Sequence, residues 1–285
     1  MLDLWNPEHL SLGIGLITAL LLGIIHGITP DEHTWPITFS YAIGSYSTKG
    51  GMKAGFFFSA AFTLQRAIAS QLAYFALAGF LMVPNQENAM YIVVGAVMFL
   101  SGYFILYRKK TFHLLPWVDK LLPPVTGEAR DIPASMALIH GFVAGWGTGA
   151  FATIIYTVVA PTMPSPWLGW LPGVLFGLGT MVMQILIGAV FGRWIERRKL
   201  GEQAKALIGR VVAGNTLFVG GFLFVLVGAV GLAAPTLTEW SISTGLHVHN
   251  LDSINIGLVL VLVTVAGAGG TSLVRALKKV QSRSA

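Results

Sequence analysis

Long apolar stretches alternate with short polar ones along the whole chain. The apolar stretches cover residues 10–45, 54–82, 90–107, 134–160, 167–193, 211–234 and 254–277. An α-helix needs about 20 apolar residues to cross the hydrocarbon core of a bilayer. The pattern therefore predicts an all-α polytopic membrane protein with about seven transmembrane helices, forming a single transmembrane domain over residues 1–285.

Basic residues fall almost entirely on one side of this predicted topology. Of the 18 Lys and Arg residues, 17 lie within residues 49–53, 108–130, 193–210 and 275–283. The alternate connections, residues 1–9, 83–89, 161–166 and 235–253, contain none. Because basic loops stay in the cytoplasm, we expect a cell (plasma or inner) membrane protein with the N-terminus outside and the C-terminus inside. The first residues lack a basic n-region and a cleavage site, so no removable signal peptide is expected.

Composition excludes most soluble classes of protein. Apolar residues make up 54% of the chain and charged residues only 11%, whereas a soluble domain has about 25% charged residues. The lipid bilayer, and not nucleic acid, is therefore the expected partner despite the net charge of +6. The chain has no cysteine, which excludes disulfides and thiolate metal sites. A homo-oligomer is compatible with the sequence.

The first apolar stretch is too long for one straight crossing, and it contains Pro30 and Pro36. Proline removes a backbone donor and clashes with the preceding helical turn. We therefore expect two half-helices that meet near residues 27–33. Backbone that is not helical persists inside a membrane only where it is buried in protein or lines a cavity.

A short sequence repeat links the first and fourth apolar stretches. Ile25-His26-Gly27 recurs as Ile139-His140-Gly141. This predicts a 3+3 inverted repeat with broken first and fourth helices, an arrangement typical of transporters that bind cargo at the breaks. Its parts are repeat 1 over about residues 10–107, a cytoplasmic loop over 108–133, repeat 2 over about 134–234 and an extra C-terminal helix over 254–277.

Ionisable residues crowd the predicted first break. His26, Asp31, Glu32 and His33 fall within eight positions, although one charged side chain at the bilayer centre costs about 2.5–3.5 kcal/mol or more. Carboxylate and imidazole together suit divalent first-row metal ions. The alternative is a kinked helix near the membrane surface, in which Asp31 caps the second half-helix. Capping does not account for His26, which precedes the break.

Other polar residues in the apolar stretches are secondary candidates. His140 is either a further metal ligand or a structural histidine. Arg66 is expected to form an ion pair with Asp31 or Glu32, or else to bind an anionic cargo. Gln65 and Gln184 are candidates for the pathway. His247, His249 and Asp252 could capture a metal ion at the outer side.

The spacing His26-x4-Asp31-x-His33 resembles the signature of the nickel/cobalt transporter family, with Glu32 inserted before the second histidine. The Pro-broken first stretch and the Gly-rich fourth stretch are similar to a wider membrane superfamily. That superfamily includes lysine exporters, urease-accessory membrane proteins and thiol-disulfide transporters of cytochrome maturation. The resemblance implies transport of a transition metal. The missing cysteines imply that no electrons pass through thiols.

Three functions fit these features. The preferred one is a transporter whose substrate is a divalent transition metal (Ni, Co, Fe, Zn or Mn). It is expected to be a secondary transporter, because no Gly-x4-Gly-Lys-Ser/Thr nucleotide-binding motif is present. The second is an exporter of an anion or small organic solute that uses Arg66, with proton-coupled carboxylates. The third is an intramembrane metalloenzyme. The chain is not expected to be an enzyme, since no general base apart from the ligands is evident.

Overall fold

The computed structural model describes residues 11–108, 115–122, 133–198, 200–246 and 251–284. Its α-helices, in chain order, are α1 (Leu12–Ile28), α2 (Trp35–Gly44), α3 (Thr48–Tyr74), α4 (Gln86–Tyr103), α5 (Pro116–Leu121), α6 (Ala134–Ala144), α7 (Ala150–Ile154), α8 (Leu171–Glu196), α9 (Glu202–Ala233), α10 (Ile256–Val261) and α11 (Thr271–Ser284). Turns of π-helix continue α4 over Phe104–Arg108, follow α7 over Ile155–Val159 and join α10 to α11 over Leu262–Gly270. Two short strands, β1 (Ser241–Ser243) and β2 (Ser253–Asn255), pair antiparallel.

Four helical segments are long and apolar enough to cross a membrane. They are Gln86–Arg108, Pro166–Glu196, Glu202–Ala233 and Ile256–Ser282. Shorter apolar helices cover Leu12–Ile28, Ala134–Ala144 and Ala150–Thr162. These segments confirm the predicted helical class and make a membrane location the natural one, whereas seven crossings and the inverted repeat remain predictions.

Large apolar side chains point away from the bundle. Leu64, Val190 and Leu262 are each more than half exposed on different helices. Facing water, such side chains would forfeit about 1.5–3 kcal/mol each relative to burial. A lipid environment removes that cost, so the outer surface agrees with the composition.

Helix α8 lies against both α1 and α3, and α4 lies along α9. Close approach depends on small residues, as is usual where no hydrophobic force drives helices together. At Gly23, for example, a Cβ atom would overlap the backbone of Phe176, so α1 and α8 touch through their main chains. The first half of the broken segment is thereby held against α8.

Described residues within or beside three of the four Lys- and Arg-rich segments meet at one end of the bundle. Ile43, Ile195, Ile208 and Ala276 pack into one apolar cluster, which brings together the ends of α2, α8 and α11 and the start of α9. We call this the basic end, because these residues lie within or beside the Lys- and Arg-rich segments. Which side of the membrane it faces stays a prediction.

The first apolar segment is interrupted where Pro30 predicts a break. Helix α1 ends at Ile28 and α2 begins at Trp35, so residues 29–34 are not helical. Residues 145–149 likewise separate α6 from α7. A break expected near residues 27–33 is therefore confirmed, and a second one follows His140 within the fourth apolar stretch.

Gln184 of α8 ties the two half-helices of the first segment together. Its Nε2 donates to the Gly27 carbonyl in α1 over 3.1 Å, and its Oε1 accepts from the Thr38 hydroxyl in α2 over 2.5 Å. Gln184 and Thr38 are buried. One side chain thus fixes the spacing across the break.

Replacing Gln184 with Leu is expected to destabilise the protein. The substitution leaves the Gly27 carbonyl and the Thr38 hydroxyl without this partner, and each buried unsatisfied group costs about 1–3 kcal/mol. The thermal midpoint of the purified protein in detergent, followed by tryptophan fluorescence, should fall by several degrees. The control is Gln203→Leu, at an exposed position of α9, which should leave the midpoint unchanged. Equal midpoints for the two variants would contradict the bridging role.

Candidate metal site

A cavity of about 680 Å³ lies between the two breaks. Asp31, Glu32 and His33 line it from the first break, Gly147 lines it from the second, and Arg66 lines it from α3. Both breaks therefore contribute to the lining of one cavity, which is one of the two settings in which non-helical backbone is tolerated at membrane depth.

The cavity reaches the surface at the end opposite the basic end. Its rim includes the exposed Glu87, Glu239 and Trp240. Gly231, at the end of α9, packs on Asn88 at the start of α4, which places this rim at the far end of α9 from the basic end. A cation approaching from that side meets carboxylates first, and such a rim raises its local concentration.

Asp31, Glu32 and His33 form a group that could hold a metal ion. Each offers one ligand atom, and these atoms lie within 4.8 Å of one another. Asp31 and His33 are buried, and Glu32 is half-buried. On a regular helix, consecutive side chains point in different directions about the axis. The break is what lets three neighbouring residues converge.

Local hydrogen bonds orient the imidazole and the carboxylates. Asp31 Oδ1 accepts the backbone N–H of His33 over 3.0 Å, a short turn that aspartate commonly forms. His33 Nδ1 lies 3.6 Å from Glu32 Oε1. The imidazole stacks on Tyr91 with ring centroids 5.4 Å apart, and its buried Nε2 has no hydrogen-bond partner among the described residues.

Glu32 is held by residues that the sequence analysis did not select. The Tyr91 hydroxyl lies 3.2 Å from Glu32 Oε1 and 2.9 Å from Glu87 Oε1. A Cβ atom at Gly257 would lie 2.9–3.0 Å from the Glu32 carboxylate group. Glu87 and Tyr91 are four residues apart at the start of α4, so they share a helix face. That spacing is the signal that could have revealed them.

His26 borders the three-residue group without belonging to it. Its Nδ1 lies 3.9 Å from Asp31 Oδ2, and its ring packs against Phe62 and Phe176 with centroids 5.8 and 5.2 Å away. His26 lines the cavity. Its role as a direct ligand remains a prediction.

The donor set of this site is two carboxylates and one imidazole, with a second imidazole adjacent. Such donors suit first-row divalent ions, and no thiolate narrows the choice. No family model, curated protein or solved structure matches this chain. The function is therefore inferred from the chemistry of the residues at this site.

Arg66 does not form the ion pair predicted for it. Its Nη1 donates to the Tyr156 hydroxyl over 2.7 Å and its Nη2 donates to the Gly147 carbonyl over 3.0 Å. No carboxylate oxygen of the described residues lies within 4.0 Å of its guanidinium. The physical reason is the second break, which presents a bare carbonyl and a nearby phenol to the guanidinium.

His140 is not brought to the site either. Its Nδ1 lies 2.7 Å from the Tyr41 hydroxyl and 2.8 Å from the Met136 carbonyl, and it does not line the cavity. These contacts turn the ring toward α2 and its own helix. Of the two roles considered for His140, the structure favours the structural one.

The remaining candidates lie elsewhere. Gln65 and Gln184 are buried outside the cavity lining: Gln184 bridges the first break, and the Gln65 side chain packs against Gly145. Asp252 is exposed beside the strand pair. His247 and His249, predicted to capture metal with it, lie outside the described residues.

Proposed function

We propose that the protein is a secondary transporter of divalent transition-metal cations, which bind between Asp31, Glu32 and His33 during passage. Seven crossings, an inverted repeat and an outer N-terminus complete this proposal. The observation that supports it is the convergence of three metal-type donors within 4.8 Å at the break of an apolar segment. The resemblance to nickel/cobalt transporters agrees with it.

The surroundings of the three donors favour a mobile ion over a fixed structural one. A structural zinc site is closed by four protein ligands. Here three donors face a cavity whose rim is exposed and acidic, so solvent and ions have access. A cation moving to a negative interior gains about 2.3 kcal/mol per charge per 100 mV, which makes import the favoured direction.

Export of an anion through Arg66 is the second candidate. A buried guanidinium lines the same cavity without a carboxylate partner among the described residues. However, Asp31 and Glu32 stand in that cavity as well, and two carboxylates against one guanidinium repel an anion. A divalent cation is attracted by the same two carboxylates, so metal transport remains the better supported function.

Ion flux into proteoliposomes tests the proposal. Purified protein is reconstituted with a metal-quenched dye inside, and Zn²⁺, Ni²⁺, Co²⁺, Fe²⁺ and Mn²⁺ are added in turn under an inside-negative potassium diffusion potential. At least one ion should enter faster than into protein-free vesicles, and more slowly when the potential is removed. Asp31→Asn should reduce the rate to that of protein-free vesicles.

The control is Glu202→Gln, which removes an exposed carboxylate that pairs with Lys205 on α9. It should transport at the wild-type rate. Tight binding of a metal ion with no flux at any potential would point instead to an intramembrane metalloenzyme. Unchanged flux in Asp31→Asn would contradict the proposal.

A further inference from the structure

Arg66 is a buried cation that lines the same cavity as the three metal-type donors. Its side chain lies in the middle of α3 and is 3% exposed. An arginine side chain carries a positive charge and has no acceptor of its own. Its surroundings therefore determine whether the charge is balanced by the protein or by a ligand.

The described residues use only a part of the hydrogen-bonding capacity of Arg66. A guanidinium has five N–H hydrogens, and in the described chain two hydrogen bonds use them, to the Tyr156 hydroxyl and the Gly147 carbonyl. Nε is buried without an acceptor. Both acceptors are neutral, and the aromatic ring of Phe62 lies 4.6 Å from Cζ. The charge thus lacks an anionic partner at close range among the residues that the structure describes.

Arg66 is one residue away from His33 of the metal group and one residue away from His26, which borders that group. A Cβ atom at Gly147 would lie 3.1 Å from the His33 imidazole, and the carbonyl of Gly147 accepts from Arg66. Phe62 stacks on the His26 ring and also lies beneath the guanidinium. A ligand of a few atoms can therefore contact the metal group and Arg66 together.

The charges of the loaded site leave room for an anion. When ionised, Asp31 and Glu32 carry two negative charges, which one divalent cation neutralises. The charge of Arg66 then remains, and an uncompensated buried charge is strongly unfavourable. Glu87 and Glu239 are exposed at the rim, where water screens them.

The cavity is also much larger than a metal ion requires. Its volume of about 680 Å³ falls within the range of pockets for small organic ligands, about 300–1,000 Å³. Three protein donors leave coordination positions open for other ligands, as in zinc sites with three protein ligands. Size and coordination both admit an organic molecule beside the ion.

We propose that the metal ion is bound together with a small carboxylate chelator. Asp31, Glu32 and His33 hold the ion, and a neutral donor of the chelator completes its coordination. One carboxylate of the chelator binds the guanidinium of Arg66, and its other carboxylates face the open rim of the cavity, where water screens them. Arginine recognises carboxylates because its planar fork forms two parallel charged hydrogen bonds with them. This inference rests on the proposed function, and it specifies the form in which the substrate is taken.

Equilibrium dialysis with two labels tests the inference. The full-length protein in detergent is dialysed against ⁶⁵Zn²⁺ and ¹⁴C-citrate, a tricarboxylate probe, at a fixed free zinc concentration, with ³²P-phosphate in a parallel arm. The wild type should retain equimolar zinc and citrate. Arg66→Gln should retain zinc but bind citrate at least about 10-fold more weakly, because charged hydrogen bonds are lost. Arg66→Lys keeps the charge without the planar fork, so it should bind citrate more weakly than the wild type and more tightly than Arg66→Gln. If Arg66→Gln fails to fold, the comparison of Arg66→Lys with the wild type still tests the inference.

The matched control is Lys49→Gln, at an exposed position on the same helix, which should retain both labels like the wild type. Zinc retained by the wild type without citrate would overturn the chelator and leave the proposed function standing. Phosphate retained in place of citrate, or equal citrate retention in wild type and both Arg66 variants, would also overturn it. Retention of no ion by the wild type, when each of the five ions of the flux experiment takes the place of zinc in turn, would overturn both this inference and the proposed function.

Discussion

Replacing Asp31 with Asn is expected to weaken the binding of divalent metal ions by more than about 100-fold, since even partners that merely orient a metal ligand are worth about 10–100-fold. The substitution preserves size and leaves an acceptor for the His33 backbone N–H. It removes the negative charge from the three-residue group. Isothermal titration calorimetry of the purified protein with Zn²⁺ and Ni²⁺ measures the effect.

The matched control for this substitution is Glu239→Gln. Glu239 also carries a carboxylate and lies on the rim of the same cavity, but it is exposed and does not belong to the three-residue group. It should lower the affinity only a few-fold through the local potential. Equal losses for Asp31→Asn and Glu239→Gln would mean that the acidic cavity attracts cations in general and has no defined ligands.

Replacing Gly257 with Ala is expected to weaken metal binding by about 10-fold, in the range seen for residues that position a ligand. The new Cβ atom would meet the Glu32 carboxylate group at 2.9–3.0 Å. Because that group ends a flexible side chain, Glu32 can move aside at little cost to stability. The metal affinity should therefore fall while the thermal midpoint stays within a few degrees of the wild type.

Gly267→Ala is the control on the same C-terminal segment. A Cβ atom at Gly267 would have its nearest neighbour 3.8 Å away, on Val263, so metal affinity should not change. If both variants lost affinity equally, the effect would come from the helix itself and not from contact with Glu32. If neither lost affinity, the space left by Gly257 would not be what positions Glu32 for the metal ion.

The break in the first segment was predictable because proline acts locally. Pro30 and Pro36 restrict the backbone whatever the rest of the chain does, and α1 ends two residues before Pro30. The candidate ligands Asp31, Glu32 and His33 were predictable for the same reason, since they lie within the break itself. Their convergence follows from local chain geometry.

Contacts between residues that are far apart in the chain were not predictable. Arg66 was expected to pair with Asp31 or Glu32 by charge alone, but its acceptors lie about 80–90 positions along the chain. One is the Gly147 carbonyl in the second break and the other is the Tyr156 hydroxyl in the π-helical turn after α7. Gln184 was selected for its polarity in an apolar helix, and nothing in the sequence shows that it spans the first break. The bundle geometry decides both.

The contact between Gly257 and Glu32 was not predictable from the sequence either. It lies more than 200 positions from Glu32 and carries no chemistry of its own. In a chain with 34 glycines, no local feature separates one that touches a ligand from one that lets two helices pack. Only the position of α10 against the first break identifies it.

X-ray absorption spectroscopy of the zinc-loaded protein tests the central claim most directly, because it reports the atoms around the ion. The proposed site predicts a first shell of oxygen and nitrogen at about 2.0–2.2 Å with imidazole scattering that decreases in His33→Gln. The variant His140→Gln should leave the spectrum unchanged. A wild-type spectrum without imidazole scattering, or one that His33→Gln does not alter, would contradict the site at the first break.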